Sequence, residues 1–229
     1  MDSHSDPLTI PRGRGAQSIF DALRDEIIAL KLTPGTILSR IELQTRFGLS
    51  SSPIRDALIR LQVEGLVDIF PQHATVVSPI DLERARQAQF LRRSVELEIV
   101  RQLALAPGTA PLQKLRSLIR QQATLAELGE YETFTTLDHA FHRAMYEAVR
   151  LVDLWDLVRR QGGHIDRLRR LNLPVSGKMQ GIIEDHTAIV DAIAAGNPAA
   201  AQEALRDHLS RSIQFVGQLR EAYPQYFSR

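Results

Sequence analysis

The apolar residues recur at helical spacing along most of the chain, with one short stretch where the period changes to two. From Ser18 to Leu32, Ile19, Phe20, Leu23, Ile27, Ile28 and Leu30 form one helix face, and Thr33-Pro34-Gly35 ends the run. A second helix starts at Ser39. Ser39 and Glu42 have the spacing of a capping box, Leu43 and Phe47 continue the apolar face, and Gly48 stops it. Ser50, Ser51 and Ser52 offer N-cap oxygens to a third helix, Pro53 to Glu64, with Ile54, Ala57, Leu58 and Leu61 inward and Gly65 as its stop. Residues 66–70 and 74–77 then read as two short strands, with Pro71-Gln72-His73 as the turn. Helix, helix, tight turn, helix and hairpin, in that order, predict a winged helix-turn-helix.

From Asp81, a plausible N-cap, every segment reads as helix. The spans are 81–105, 111–128, 131–149, 151–171, 178–195 and 198–221, separated by Pro107-Gly108, Gly129, residues 174–177 and Gly196-Asn197-Pro198. The expected fold is therefore mostly α: an N-terminal winged helix-turn-helix plus a C-terminal all-helical antiparallel bundle. The expected division is a flexible arm over 1–15, the winged unit over 16–79, and a helical metal-binding, effector-binding and dimerisation domain over 80–222.

Composition narrows the class. Of 229 residues 44% are hydrophobic, enough for real cores, and only 6% are aromatic, which leans towards helix. Cysteine is absent, so disulfides and thiolate metal sites are excluded and a cytoplasmic setting is expected. No stretch approaches a membrane span or a signal peptide. The net charge of +1 announces no global basic field, but Arg12 to Arg60 holds eight basic residues against five acidic ones, which suits a small DNA-binding unit.

A helix-turn-helix sends the start of its second helix into the major groove. Here that is Ser51, Ser52 and Arg55. The Arg55 guanidinium can meet guanine O6 and N7 in two-point fashion, and the serines can donate to phosphates. Arg40, Arg46 and Arg60 are candidates for backbone contacts, and His73 lies at the expected wing tip. Further along, Asp138 and His142 are four apart and share one helix face, while His186 and His208 each lie on an amphipathic stretch of their own. Three imidazoles and one carboxylate can converge on a divalent ion such as Zn²⁺, Ni²⁺, Mn²⁺ or Fe²⁺. With neutral imidazoles the ion keeps a formal charge of +1, and an octahedral site would leave two positions for an anionic small molecule.

These motifs resemble a known family. Leu38-Ser39, Glu42-Leu43, Phe47-Gly48-Leu49-Ser50, Pro53 to Leu58, Leu61 and Glu64 to Val67 are similar to the DNA-binding domain of GntR-family bacterial transcription regulators. Arg92 with Glu96, Asp138-x3-His142, His186, and His208 after residues 192–197 resemble the ligand-binding FCD domain of the FadR branch. The resemblance implies a homodimeric regulator of an operator in double-stranded DNA, probed by a small organic acid effector and most often a repressor. It also implies that Arg92, Arg167 and His164 line the effector cavity. Three positions depart from the pattern. The family usually has Arg where Ser51 stands, an acidic residue where Arg40 stands, and Gly at the wing tip where Ala74 stands, so a positive φ at Ala74 would be strained. Three rivals remain at this level: a purely structural metal, a metal-dependent enzyme in which the same four ligands activate water, and an interaction module with no metal.

Overall fold

A computed structural model describes residues 12–175, 177–211 and 215–228. They form two compact units that divide between Pro79 and Ile80. Residues 1–11 of the expected arm and 212–214 of the expected last helix lie outside the described residues.

The first unit runs α1 (Arg12–Ile28), α2 (Arg40–Phe47), α3 (Ser51–Val63), β1 (Val67–Phe70) and β2 (Ala74–Val77). Its core is the apolar face already visible in the sequence: Ile19, Leu23, Ile27, Leu43, Ile54, Leu58 and Leu61 are all buried. Two ends of α1 differ from expectation. It begins at Arg12, inside the expected arm, and stops at Ile28 because Leu30 turns to φ 58° and Lys31 N–H bonds back to Glu26 O at 2.9 Å. Ser39 Oγ accepts from Glu42 N–H at 3.4 Å, and Gly48, at φ 63°, closes α2. β1 and β2 pair antiparallel from Val67↔Val77 to Phe70↔Ala74. The left-handed wing residue is Gln72 (φ 61°), while Ala74 sits in β2, so the strain expected at Ala74 does not arise. Ile37 adds a single antiparallel bridge to Val76, too short to leave a periodic signal.

The second unit runs α4 (Leu82–Leu105), α5 (Leu112–Leu128), α6 (Tyr131–Ala148), α7 (Val152–Gln161), α8 (Gly163–Asn172), α9 (Lys178–Ala194), α10 (Pro198–Ser210) and α11 (Val216–Ala222). Two expected helices are each divided. Residues 151–171 break at Gly162-Gly163, where two adjacent residues of low helix propensity meet. The span 198–221 gives α10 and α11. Asp81 caps α4, its carboxylate accepting from Glu83 and Arg84 N–H. Gly196 at φ 65° ends α9, and Asn197 Oδ1 accepts from Ala200 N–H at 3.1 Å to start α10 with Pro198 in its first turn. That tight connection lays α9 and α10 against each other. The main core gathers Val100, Leu103, Phe141, Met145, Ile189, Ile193 and Leu205. A second cluster joins Ile80 to Ile165, Leu168 and Phe227. There residues 226–228 strap the start of the second unit: Ile80 N–H donates to Tyr226 O at 2.7 Å and Ser228 N–H to Ile80 O at 3.2 Å. Among the described residues no helix is long and apolar enough to cross a membrane.

Candidate metal centre

The apolar stripes of the second unit carry polar interruptions, and these meet. On α6, Asp138 and His142 share the face of Phe134, Phe141 and Met145. His186 sits between Ile183 and Ile189 on α9, and His208 lies beside Leu205 and Leu209 on α10. All four are buried, and one ligand atom from each lies within 4.8 Å of the others. His142 Nε2 and His208 Nε2 are 3.3 Å apart, and His186 Nε2 is 3.6 Å from Asp138 Oδ1. Two imidazole nitrogens bound at ~2.0–2.1 Å to one tetrahedral ion span about 3.3 Å, so the set fits a shared ion. Two of the converging atoms, Asp138 Oδ1 and His186 Nε2, are buried without a hydrogen-bond partner, which is expensive unless an ion fills the gap.

The outward sides of these ligands are held. His186 Nδ1 lies 2.9 Å from Gln122 Oε1, and its ring stacks on Phe141 at 3.9 Å. His208 Nδ1 lies 3.4 Å from Asp185 Oδ2. His142 Nδ1 is 2.9 Å from Glu96 Oε2. In each case the outer partner favours a proton on Nδ1 and leaves the Nε2 lone pair facing inward, as metal-binding histidines require. Asp138 Oδ2 accepts from Arg169 Nη2 on α8. Burial, then the Arg92 charge, pushes His142 down to about 4. Burial, then His208, holds His186 well below the usual histidine range. Burial opposes the Asp138 charge, but Arg169, His142 and His186 more than offset it and hold this carboxyl well below the usual range. Near neutral pH the site is therefore two neutral imidazoles, His142 and His186, with a carboxylate and His208.

The centre borders a cleft of about 320 Å³. His208 and Asp185 line its inner end together with Arg169 and Arg211, and Lys178 lines it at the start of α9. Arg211 Nη1 pairs with Asp185 Oδ1 at 2.9 Å. Burial, then the charges of Arg211 and Arg169, lowers Lys178, a sign of cations crowded together. Arg92, His164 and Arg167 are not among the residues lining this cleft. Arg92 is buried against Glu96, Nε to Oε1 2.7 Å. Asp81 N–H donates to His164 Nδ1 at 2.9 Å, and Arg167 Nη2 lies 2.9 Å from the same nitrogen.

In the first unit, Arg40, Ser51, Ser52, Arg55 and His73 are exposed. The nearest acid to Arg55 Nε is Asp56, at 3.8 Å. Arg60 is turned to α1 instead: Nη1 donates to Gln17 Oε1 at 2.9 Å and its guanidinium lies 4.0 Å over the Phe20 ring. Arg46 is engaged by Glu26 through both nitrogens.

Sequence reasoning missed Gln122, Asp185, Arg169, Lys178 and Arg211, and treated Glu96 only as the partner of Arg92. Gln122 left a signal, since it continues the buried face of Leu115 and Leu118 on α5. A polar residue on a core stripe needs a partner.

Comparison with known proteins completes the picture. Residues 16–77 match the bacterial regulatory proteins of the gntR family, and residues 87–211 match the FCD domain. An HTH-type transcriptional regulator of Streptomyces ambofaciens is 35% identical over 213 residues, covering 93% of this chain and 89% of that protein. The HTH-type transcriptional repressor RspR of Escherichia coli is 27% identical, covering 93% of each chain. McbR/YncC of E. coli has the same fold, with a TM-score of 0.74 at 19% identity over 92% of this chain and 99% of its own. The Streptomyces and RspR relatives are HTH-type transcriptional regulators, which favours regulation over the water-activating reading of the four residues. The chain belongs to the GntR family of bacterial transcription regulators, with an N-terminal helix-turn-helix that binds DNA and a C-terminal FCD domain.

Proposed function

We propose that this protein is a cytoplasmic, homodimeric repressor whose operator affinity is set by a small organic acid bound at or near a divalent metal. Asp138, His142, His186 and His208 would hold the metal. One observation carries the reading: His208 belongs both to the converging ligand set and to the wall of a cleft in which Arg169, Lys178 and Arg211 face a single acid, Asp185. When bound, the metal supplies a positive site that an anion can complete. The chain's own residues do the rest. Gln122, Asp185 and Glu96 orient the imidazoles, and Arg169 and Arg211 present donors to a carboxylate.

The same α8 that carries Arg169 carries His164, which receives the N–H of Asp81 just after the division between the units. Leu168 and Ile165 of α8 pack in the cluster that holds Ile80. A shift of α8 driven by the anion would therefore reach the start of α4, and a coupling of about 1–3 kcal/mol is typical of such regulators. In the DNA-binding unit Arg55 would read a base, with Arg40, Ser51, Ser52 and His73 on the backbone, and paired dimer heads would bind half-sites of a pseudo-palindrome. Full burial of the four ligands favours a second reading, a metal that only ties α6, α9 and α10 together. Elemental analysis of untagged protein, followed by operator binding with and without candidate acids, separates the two. Metal at one equivalent with an operator response to an acid supports the sensor; metal with no response to any acid supports the tie.

A further inference from the structure

The cleft beside His208 has two unlike ends. Its inner end is charged: Arg169, Arg211, Asp185 and His208 meet there. Of the other described lining residues, Leu173, Val175, Ile182 and Phe215 are apolar, and Asn172, Lys178 and the glycines 177 and 181 complete the wall. Leu173 and Ile182 continue the cluster around Phe134 and Ile183, so this wall is an extension of the core and not a scatter of surface residues. The α9 face orders the two ends. Asp185, Ile182 and Lys178 follow one another along one side of the helix, and seven residues at ~1.5 Å each make this track about 10 Å long. Gly181 stands on the same side. A Cβ there would lie 3.8 Å from Arg211 Nη1, in ordinary contact, which places that guanidinium beside α9. At the outer end Lys178 Nζ sits 4.4 Å over the Phe215 ring.

We infer that the effector is a monocarboxylate with an apolar tail, such as one aromatic ring or a short branched chain. Its head meets His208, Arg169 and Arg211, and its tail lies along Ile182, Leu173 and Val175. The inference rests on the proposed anion-sensing reading and deepens it. A compact polycarboxylate or a sugar acid would complete the charge at the inner end, but its remaining polar groups would lose water against Leu173 and Ile182, and of the described residues along that wall Asn172 and Lys178 are the ones that could pair with them. Burying a ring against those side chains is favourable in proportion to the apolar area removed from water.

The test uses the full-length protein loaded with Zn²⁺ or Ni²⁺ and calorimetric titration with acetate, phenylacetate and citrate. Phenylacetate and acetate share a carboxylate and differ in the tail. Phenylacetate should bind at least tenfold more tightly than acetate or citrate, with a more negative heat-capacity change. Ile182→Asn should reduce the phenylacetate advantage over acetate to less than threefold while metal affinity and acetate affinity stay unchanged. Val175→Asn, at an exposed position of the same wall, should act in the same direction and keeps the test open if the Ile182 variant fails to fold. Equal binding of acetate and phenylacetate, or tighter binding of citrate, would overturn the apolar-tail inference and leave the anion-sensing reading standing. Binding of none of the three by metal-loaded protein would overturn both.

Discussion

Replacing Glu96 with Gln should cost the second unit about 3 kcal/mol of stability and weaken the metal site as well. Glu96 is fully buried, with Arg92 Nε at 2.7 Å and Tyr146 Oη at 3.4 Å from Oε1, and His142 Nδ1 at 2.9 Å from Oε2. Burial alone would raise its pKa, but Arg92 and His142 more than offset this and hold it at about 2. The amide keeps the shape and one acceptor and removes the charge. Arg92 is then left buried without its counter-charge, and breaking one side of such a pair costs about 3–5 kcal/mol; the retained acceptor puts Glu96→Gln at the lower end. Trp155 is the chain's one tryptophan, it is buried in the second unit, and its fluorescence in urea reads this unit directly. With a slope of about 2 kcal/mol per M, the midpoint should fall by about 1–2 M in the presence of a chelator, which removes any metal contribution. A shift below about 0.3 M would refute the argument. Arg92→Met with Glu96→Met should recover most of the loss, because a buried pair contributes little net stability once both charges are gone. A double variant no better than the single one would place the cost elsewhere. The sign with pH is fixed too. The folded pKa lies below the ordinary 4.5, so the Glu96 contribution is present above pH 4.5 and is lost as pH falls towards 2.

Three further outcomes follow from the same geometry. Gln122→Leu should lower metal affinity by about 10–100-fold, read by competition with a chromophoric chelator, since it removes the group that orients His186; an unchanged affinity would deny Gln122 that role. His139 is pushed down to about 3 by burial and then by the Arg159 charge, although 23% of its side chain remains exposed and water softens the effect. Stability should therefore fall as pH drops from 6.5 towards 3, because the unfolded chain takes the proton first, and His139→Leu should flatten that limb in pH-dependent urea melts. An unaltered slope would count against the shift. Arg55→Ala should weaken binding to a selected operator by about 1–3 kcal/mol in fluorescence anisotropy and relax preference at one base pair, whereas an affinity within twofold of the parent would exclude base reading by Arg55.

The elements of this fold were legible where one face is apolar and a stop residue follows, as in α2, α3, α5, α9 and α10. The break at Gly162-Gly163 was not, because the apolar stripe continues across it. The four converging residues were legible because histidine and aspartate stand out on amphipathic stretches and their spacing matches a known pattern. Their surroundings were not. Gln122, Asp185 and Arg169 act across helices, and which polar residue on one helix meets which on another is set by packing, not by spacing. Arg92 and Arg167, which the resemblance implied as effector anchors, meet Glu96 and His164 respectively in the folded unit. Arg60 is exposed, and its guanidinium also donates to Gln17 and lies over Phe20 of α1, a contact that no spacing announced.

An anion at the metal centre that controls DNA affinity must change operator binding only where the centre is intact. The most direct measurement is the operator affinity of the full-length, metal-loaded protein with and without saturating phenylacetate, repeated on His208→Ala. The operator is chosen from random-sequence DNA by the protein itself. Operator affinity should change by about 5–150-fold in the parent, the range of a coupling of about 1–3 kcal/mol, and not at all in His208→Ala. The same affinity with and without the acid in metal-loaded parent protein, or an equal response in the variant, would contradict it.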